Sequence, residues 1–202
     1  MEPRPDATQP WHDLGSSLRC VPANETWAIA STMMSRWGIS RVTNLTRLDQ
    51  LGLPVYASVR PRGKALCVHA GKGLRPEEAR IGALMEALEF AVAEPQNSNW
   101  QGRSLSIAEL ESEWAGAFSL QDLAPVFGLR IDSTRKLDAV LCDDVAGCGS
   151  AWLPAELVFL PYEDPHGPVL FGWSSNGLRR AMHWPKPHCT GCWRCSSAMR
   201  WQ

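Results

Sequence analysis

The sequence predicts an α+β fold with mixed sheets and packed helices, and three observations carry that reading. Stretches with strand and helix character alternate without the regular strand-helix-strand period of a doubly wound sheet. One long helical stretch around Glu86 carries an apolar stripe at helical spacing. The 202 residues are 45% hydrophobic and 20% charged, enough to bury a core and neither disordered nor fibrous.

Residues Met1 to Ala23 are rich in Pro and polar side chains and read as an extended N-terminal arm. A helix is expected from Glu25 to Trp37, capped by Asn24 and stopped at Gly38. Ile39 to Val42, Val55 to Val59 and Leu66 to His69 read as strands, with turn chemistry at Gly52 and Pro54. Gly71, Lys72 and Gly73 then read as a tight glycine turn.

The best helix runs from Pro76 to Glu94. Pro76 takes the first position, and Glu77 and Glu78 lie in the first turn, where the helix dipole favours them. Ile81, Leu84, Met85, Leu88 and Val92 form its apolar stripe. A shorter helix is expected over Ile107 to Glu113, with Ser106 and Glu109 at capping-box spacing. Leu137 to Cys142 and Leu157 to Pro161 read as further strands.

Charge narrows the function classes. With 20 basic and 21 acidic residues the net charge is -1, so no basic footprint for nucleic acid or membrane surface is present. No apolar run approaches the ~18 residues of a spanning helix. The first residues carry Pro, Asp and His where a secretory signal needs an apolar stretch. A soluble cytoplasmic protein is the expectation, with Cys20, Cys67, Cys142 and Cys148 as ordinary thiols.

On the long helix, Gly82, Glu86, Glu89 and Ala93 fall along one edge of the apolar face. Two carboxylates one turn apart can ligate a hard cation such as Mg²⁺, and the small residues beside them leave room for a ligand. The same spacing also fits a solvated helix edge. The Gly71 to Gly73 turn, ahead of a helix N-terminus, offers backbone donors and the Lys72 ammonium to phosphate, although this is no Walker pattern. His69 reads as structural.

The segments GISRVTNLTRLDQLGLPVYASVRP (Gly38 to Pro61) and HAGKGLRPEEARIGALMEALEFAVAE (His69 to Glu94) resemble the opening of the YcaO family. SSNG at Ser174 to Gly177 is similar to the family's SNGLASGN stretch. The resemblance implies an incomplete YcaO-like domain over residues 24–178, using ATP and Mg²⁺ to phosphorylate a backbone amide oxygen during nucleophilic attack. Azolines, thioamides and amidines are products in the family.

Carried over by motif, Glu86 and Glu89 would be metal carboxylates, and Ser175 and Asn176 would lie at the nucleotide. Arg41 and Lys72 would be phosphate contacts. The chain departs from the family's SALMEA at Gly82, where a hydroxyl is absent. A peptide substrate and a homodimer are implied, and the LDQLGLPV and VRP wording resembles the branch found beside TfuA partners.

After Leu178 the composition changes: 24 residues hold three of ten Trp and three of seven Cys. One reading is a zinc site at His188, Cys189, Cys192 and Cys195, although such sites normally use two separated knuckles. Another is that residues 179–202 are out of frame. With each codon's third base read together with the next codon's first two, Met182 to Pro185 can only give Ala-Leu-Ala, and permissible codons across the tail give PGNALAEATLHGLLEVLERDAVA, the continuation the family expects. On that reading a second glutamate helix is missing and turnover is impaired. The alternatives to an enzyme are a non-catalytic module that binds a peptide or partner, and a small zinc protein.

Overall fold

The structure is a computed structural model and describes residues 12–13, 18–19, 21–95, 100, 102–144, 150–172 and 193–195. It is α+β, as expected. Two compact units, Met1–Ala91 and Val92–Gln202, divide the chain.

The first unit begins with the two-residue strands β1 (His12–Asp13) and β2 (Leu18–Arg19), paired antiparallel. Helix α1 covers Ala23–Thr32 and so starts and stops earlier than expected. Pro22 takes the capping position expected of Asn24. Its carbonyl accepts both the N–H and the hydroxyl of Thr26. At the other end the hydroxyls of Ser31 and Thr32 donate to carbonyls three residues back, which competes with the helix ladder. Gly38 follows with φ +67°, a left-handed turn that glycine adopts without a Cβ penalty.

Strands β3 (Arg41–Asn44), β4 (Val55–Val59) and β5 (Val68–Lys72) make an antiparallel sheet in the order β3-β4-β5. Arg41 pairs with Val59 and Val59 with Val68; Val55 pairs with Lys72. Strand β5 therefore runs further than expected. Gly71 and Lys72 pair with Tyr56 and Val55 in the sheet and do not form a glycine turn.

Helix α2 covers Pro76–Ala93. It is buried on more than the expected stripe: Ala79, Ala83, Leu84, Ala87 and Leu88 are fully enclosed. Around its circumference the small residues let neighbours approach as closely as the leucines do. His69 of β5 is buried and packs its ring 4.9 Å from that of Phe90. Arg80 lies over the Trp27 ring of α1 at 3.4 Å, a cation–π contact.

The second unit is built on β6 (Gly102–Ser106), α3 (Ile107–Glu113), β7 (Lys136–Asp144), β8 (Ser150–Pro154) and β9 (Trp193–Cys195). Strand β7 is central and pairs antiparallel with β6, β8 and β9. The capping box at Ser106 and Glu109 forms as its spacing predicts. Its core gathers Ile107, Leu110, Trp114, Leu137, Val140 and Phe171.

Residues 157 to 161 form no strand. A 3-10 turn over Ala155–Leu157 leads into a loop, in which Val158 and Phe159 donate to the Ala155 carbonyl and Leu160 to that of Ala93, and all three are buried. A short apolar run fits any buried backbone, so its period does not distinguish the two. Cys142 is fully buried and disulfide-bonded, against the expectation of a thiol.

Candidate functional site

Helix α2 passes beside β5, and the two make backbone contact. A Cβ at Gly71 would lie 2.1 Å from both the Ala79 carbonyl oxygen and the Ala83 nitrogen, so only glycine fits. A Cβ at Gly82 would stand 3.4 Å from the Gly71 Cα. Strand β5 therefore bounds the room that Gly82 leaves on the carboxylate edge, at a distance that a methyl group would still fit. Ala93, at the far end of that edge, is fully buried.

Between them Glu86 and Glu89 are both partly exposed. The Glu86 carboxylate accepts the backbone N–H of Ala70. That donor lies on β5, an edge strand whose outer groups otherwise need solvent or a cover. Burial pushes the Glu86 carboxyl up from its ordinary value, and the Ala70 N–H opposes the shift. A cation beside Glu86 would offset the cost of burying its charge. One turn further on, Glu89 completes a carboxylate pair on the same edge, and the donor set fits a hard divalent ion.

The N-terminus of α2 differs from its expectation as a phosphate cradle. Glu78 is buried, and its Oε2 accepts the N–H groups of Leu74 at 2.8 Å and Arg75 at 3.3 Å. Gly73 donates to the Pro54 carbonyl at 3.3 Å, and a Cβ there would strike Glu78. The three backbone donors ahead of the helix are thus taken within the protein. An internal carboxylate takes the N–H groups of Leu74 and Arg75 and sets a negative charge against the helix dipole where a phosphate would otherwise stand. Glu78, three residues after the capping position, carried that signal in the sequence.

Lys72 and Arg41 are both exposed. The register puts them four residues apart along β4, opposite Val55 and Val59, which is about 13 Å at the rise of a strand. They stand on the same sheet face at opposite ends. Ser175 and Asn176 lie outside the described residues, as do His188, Cys189 and Cys192. Among the described residues no group of three or more His, Cys, Asp or Glu side chains could hold a metal.

Sequence reasoning passed over Arg60, within the VRP segment. It is 4% exposed and donates from Nε to the Trp37 carbonyl at 3.2 Å, tying β4 to the turn after α1.

The α+β scaffold thus places two carboxylates, Glu86 and Glu89, along one edge of α2. The family model described as "YcaO cyclodehydratase", ATP- and Mg²⁺-binding, matches residues 70–179. The chain belongs to the YcaO family.

Two curated relatives place it further. A protein of Methanothermobacter thermautotrophicus is 29% identical over 165 residues, covering 79% of this chain and 40% of the relative. A protein encoded in the tfuA 3' region of Rhizobium leguminosarum bv. trifolii is 33% identical over 162 residues, covering 79% of this chain and 37% of the relative. The chain thus spans about two fifths of the length of these relatives.

Among solved structures, YcaO from Methanopyrus kandleri bound with AMPPCP and Mg²⁺ matches with a TM-score of 0.51 at 23% identity, over 80% of this chain and 38% of the other. A heterocyclase in complex with substrate and cofactor matches with a TM-score of 0.59 at 17% identity, over 79% of this chain and 25% of the other. Both establish likeness of fold.

Proposed function

We propose that this chain carries part of an ATP-dependent, YcaO-type domain that activates peptide backbone amides by phosphorylation, toward azoline or thioamide formation. Glu86 and Glu89 supply the first pair of Mg²⁺ carboxylates. Ser175 and Asn176 lie at the nucleotide, and Lys72 and Arg41 reach phosphate oxygens from the sheet face. The observation that carries this reading is the partly buried Glu86, anchored to Ala70 on the same helix edge as Glu89.

Phosphoryl transfer needs positioning and charge neutralisation more than covalent help from the protein, and these residue types supply both. When bound, Mg²⁺ would neutralise charge on the phosphates. The Ala70 N–H orients the Glu86 carboxylate, and with the Gly73, Leu74 and Arg75 N–H groups taken, phosphate contact falls to side chains and metal.

The reading of residues 179–202 as out of frame belongs to this proposal. With permissible codons the shifted frame can spell a second glutamate helix, and the family match ends at residue 179.

Equilibrium dialysis of the full chain with ATP, with and without Mg²⁺, tests the proposal. Mg²⁺-dependent retention should fall in a Glu86→Gln, Glu89→Gln double variant by more than the roughly tenfold that loss of an outer-shell partner brings. Retention without Mg²⁺, or equal retention by the double variant, would contradict it.

A second reading, a non-catalytic module for a peptide or a TfuA-like partner, draws on Leu48, Leu51 and Leu53, which are 80%, 79% and 50% exposed in one loop. The relative from a tfuA 3' region supports the choice of partner. A homodimer is the third assembly consistent with such a surface. Binding of a partner with no retention of ATP would favour this reading.

A further inference from the structure

The second unit brings together a half-buried and a buried carboxyl group that the site above does not use. Glu156, in the 3-10 turn after β8, turns its Oε2 onto the chain ahead, accepting the N–H groups of Leu170 at 2.8 Å and Phe171 at 3.0 Å. Its other oxygen, Oε1, is buried and lacks a donor. Beside it stands Asp164, whose side chain is 1% exposed.

Both oxygens of Asp164 are committed elsewhere. Oδ2 accepts from Arg135 Nη2 at 3.3 Å, and Oδ1 accepts the His166 backbone N–H at 2.8 Å. Were Glu156 also ionised, its half-buried carboxylate and the buried one of Asp164 would share one positive charge, with Oε1 orphaned. A proton on Oε1 resolves both faults at once. It turns the orphan acceptor into a donor, consistent with the side-chain hydrogen bond between Glu156 and Asp164, and leaves a single negative charge for Arg135 to balance.

We propose that Glu156 is held as a neutral carboxylic acid donating to Asp164, so that its grip on Leu170 and Phe171 is a proton-dependent clamp. Burial, and then the Asp164 carboxylate, push the Glu156 carboxyl up against the opposing pull of the two N–H groups. The other titratable neighbour is Tyr162, whose hydroxyl donates to Asp138 at 2.6 Å and is itself pushed up by burial. His166 Nε2 contacts Asp138 Oδ1 at 3.2 Å.

The clamp has a second jaw. Arg135 Nη2 also donates to the Pro168 carbonyl, and Gly167, at φ +153°, leaves room for the guanidinium, 3.3 Å from where a Cβ would stand. Arg135 and Asp164 thus hold residues 164–168 while Glu156 holds 170–171. Leu170 and Phe171 are core residues, and the chain reaches Ser175 four residues later. Any consequence for nucleotide rests on the function proposed above; the proton on Glu156 does not.

The test is a carbon-13 NMR titration of the Glu156 side-chain carboxyl in the full chain, with Glu156→Gln as the companion variant. The midpoint should lie above the ordinary 4.5 of glutamic acid. Glutamine keeps the acceptor for both N–H groups and offers Asp164 an N–H, so the variant should match the wild type in acid and exceed its melting temperature as pH rises. A midpoint at or below 4.5, or a variant that loses ground as pH rises, would overturn the proposal. ATP retention by the same variant is a separate readout, so failure of the nucleotide reading is distinguishable from failure of the clamp.

Discussion

The backbone of Gly71 lies against that of Ala83, so close that a Cβ at 71 would stand 2.1 Å from the Ala83 nitrogen. Helix α2 and strand β5 are held at a distance that admits only glycine on the strand. Gly71→Ala should therefore cost at least the upper end of the roughly 1–3 kcal/mol typical of overpacking. Gly82→Ala, with 3.4 Å to the same strand, should be neutral or stabilising, because alanine gains about 1 kcal/mol over glycine within a helix. Urea unfolding of both variants measures the contrast; equal losses would contradict it.

The raised Glu86 carboxyl gives a pH prediction of known sign. A carboxyl whose folded value is raised contributes stability that is present below about 4.5 and lost as pH rises through the folded value. Without divalent cation, Glu86→Gln should therefore gain melting temperature relative to wild type as pH rises. Mg²⁺ should raise the wild-type melting temperature and leave the variant unmoved.

Glu109 behaves in the opposite way. Its carboxylate accepts the backbone N–H and hydroxyl of Ser106, which hold its carboxyl below the ordinary value. Its contribution is present above about 4.5 and is lost as pH falls through the folded value. Ser106→Ala should destabilise α3 at neutral pH, and thermal melts should show the deficit shrinking in acid. A deficit that is constant with pH would assign the cap to Ser106 alone.

The tail makes a prediction about nucleic acid sequence. Read across Ser174 to Gln202, the coding DNA should remain open in the shifted frame and encode further glutamate-bearing helices. If that frame closes at once, residues 179–202 are native, and zinc analysis of the Cys189 cluster becomes the discriminating measurement.

The elements most legible in the sequence were those whose signals were local. Pro76, Glu77 and Glu78 mark the start of α2, and Ser106 with Glu109 marks that of α3; both helices begin where those residues place them. Strands β6 and β8 were not legible. GRSLS is polar, and SAWLP follows the glycines at 147 and 149, so pairing with β7 decides both. At the site, helical spacing placed Glu86 and Glu89 on one edge. It gave no sign that β5 runs against the helix backbone at Gly71 and Gly82, because that is a contact between segments.

The central claim is that the Glu86 and Glu89 edge holds the metal of a metal–nucleotide complex. Paramagnetic broadening of backbone amides by Mn²⁺ with ATP, recorded on the full folded chain, tests it most directly. The account predicts broadening centred on residues 86–89 and on Ala70, abolished by Glu86→Gln with Glu89→Gln. Broadening centred elsewhere, or unchanged in the double variant, would contradict it.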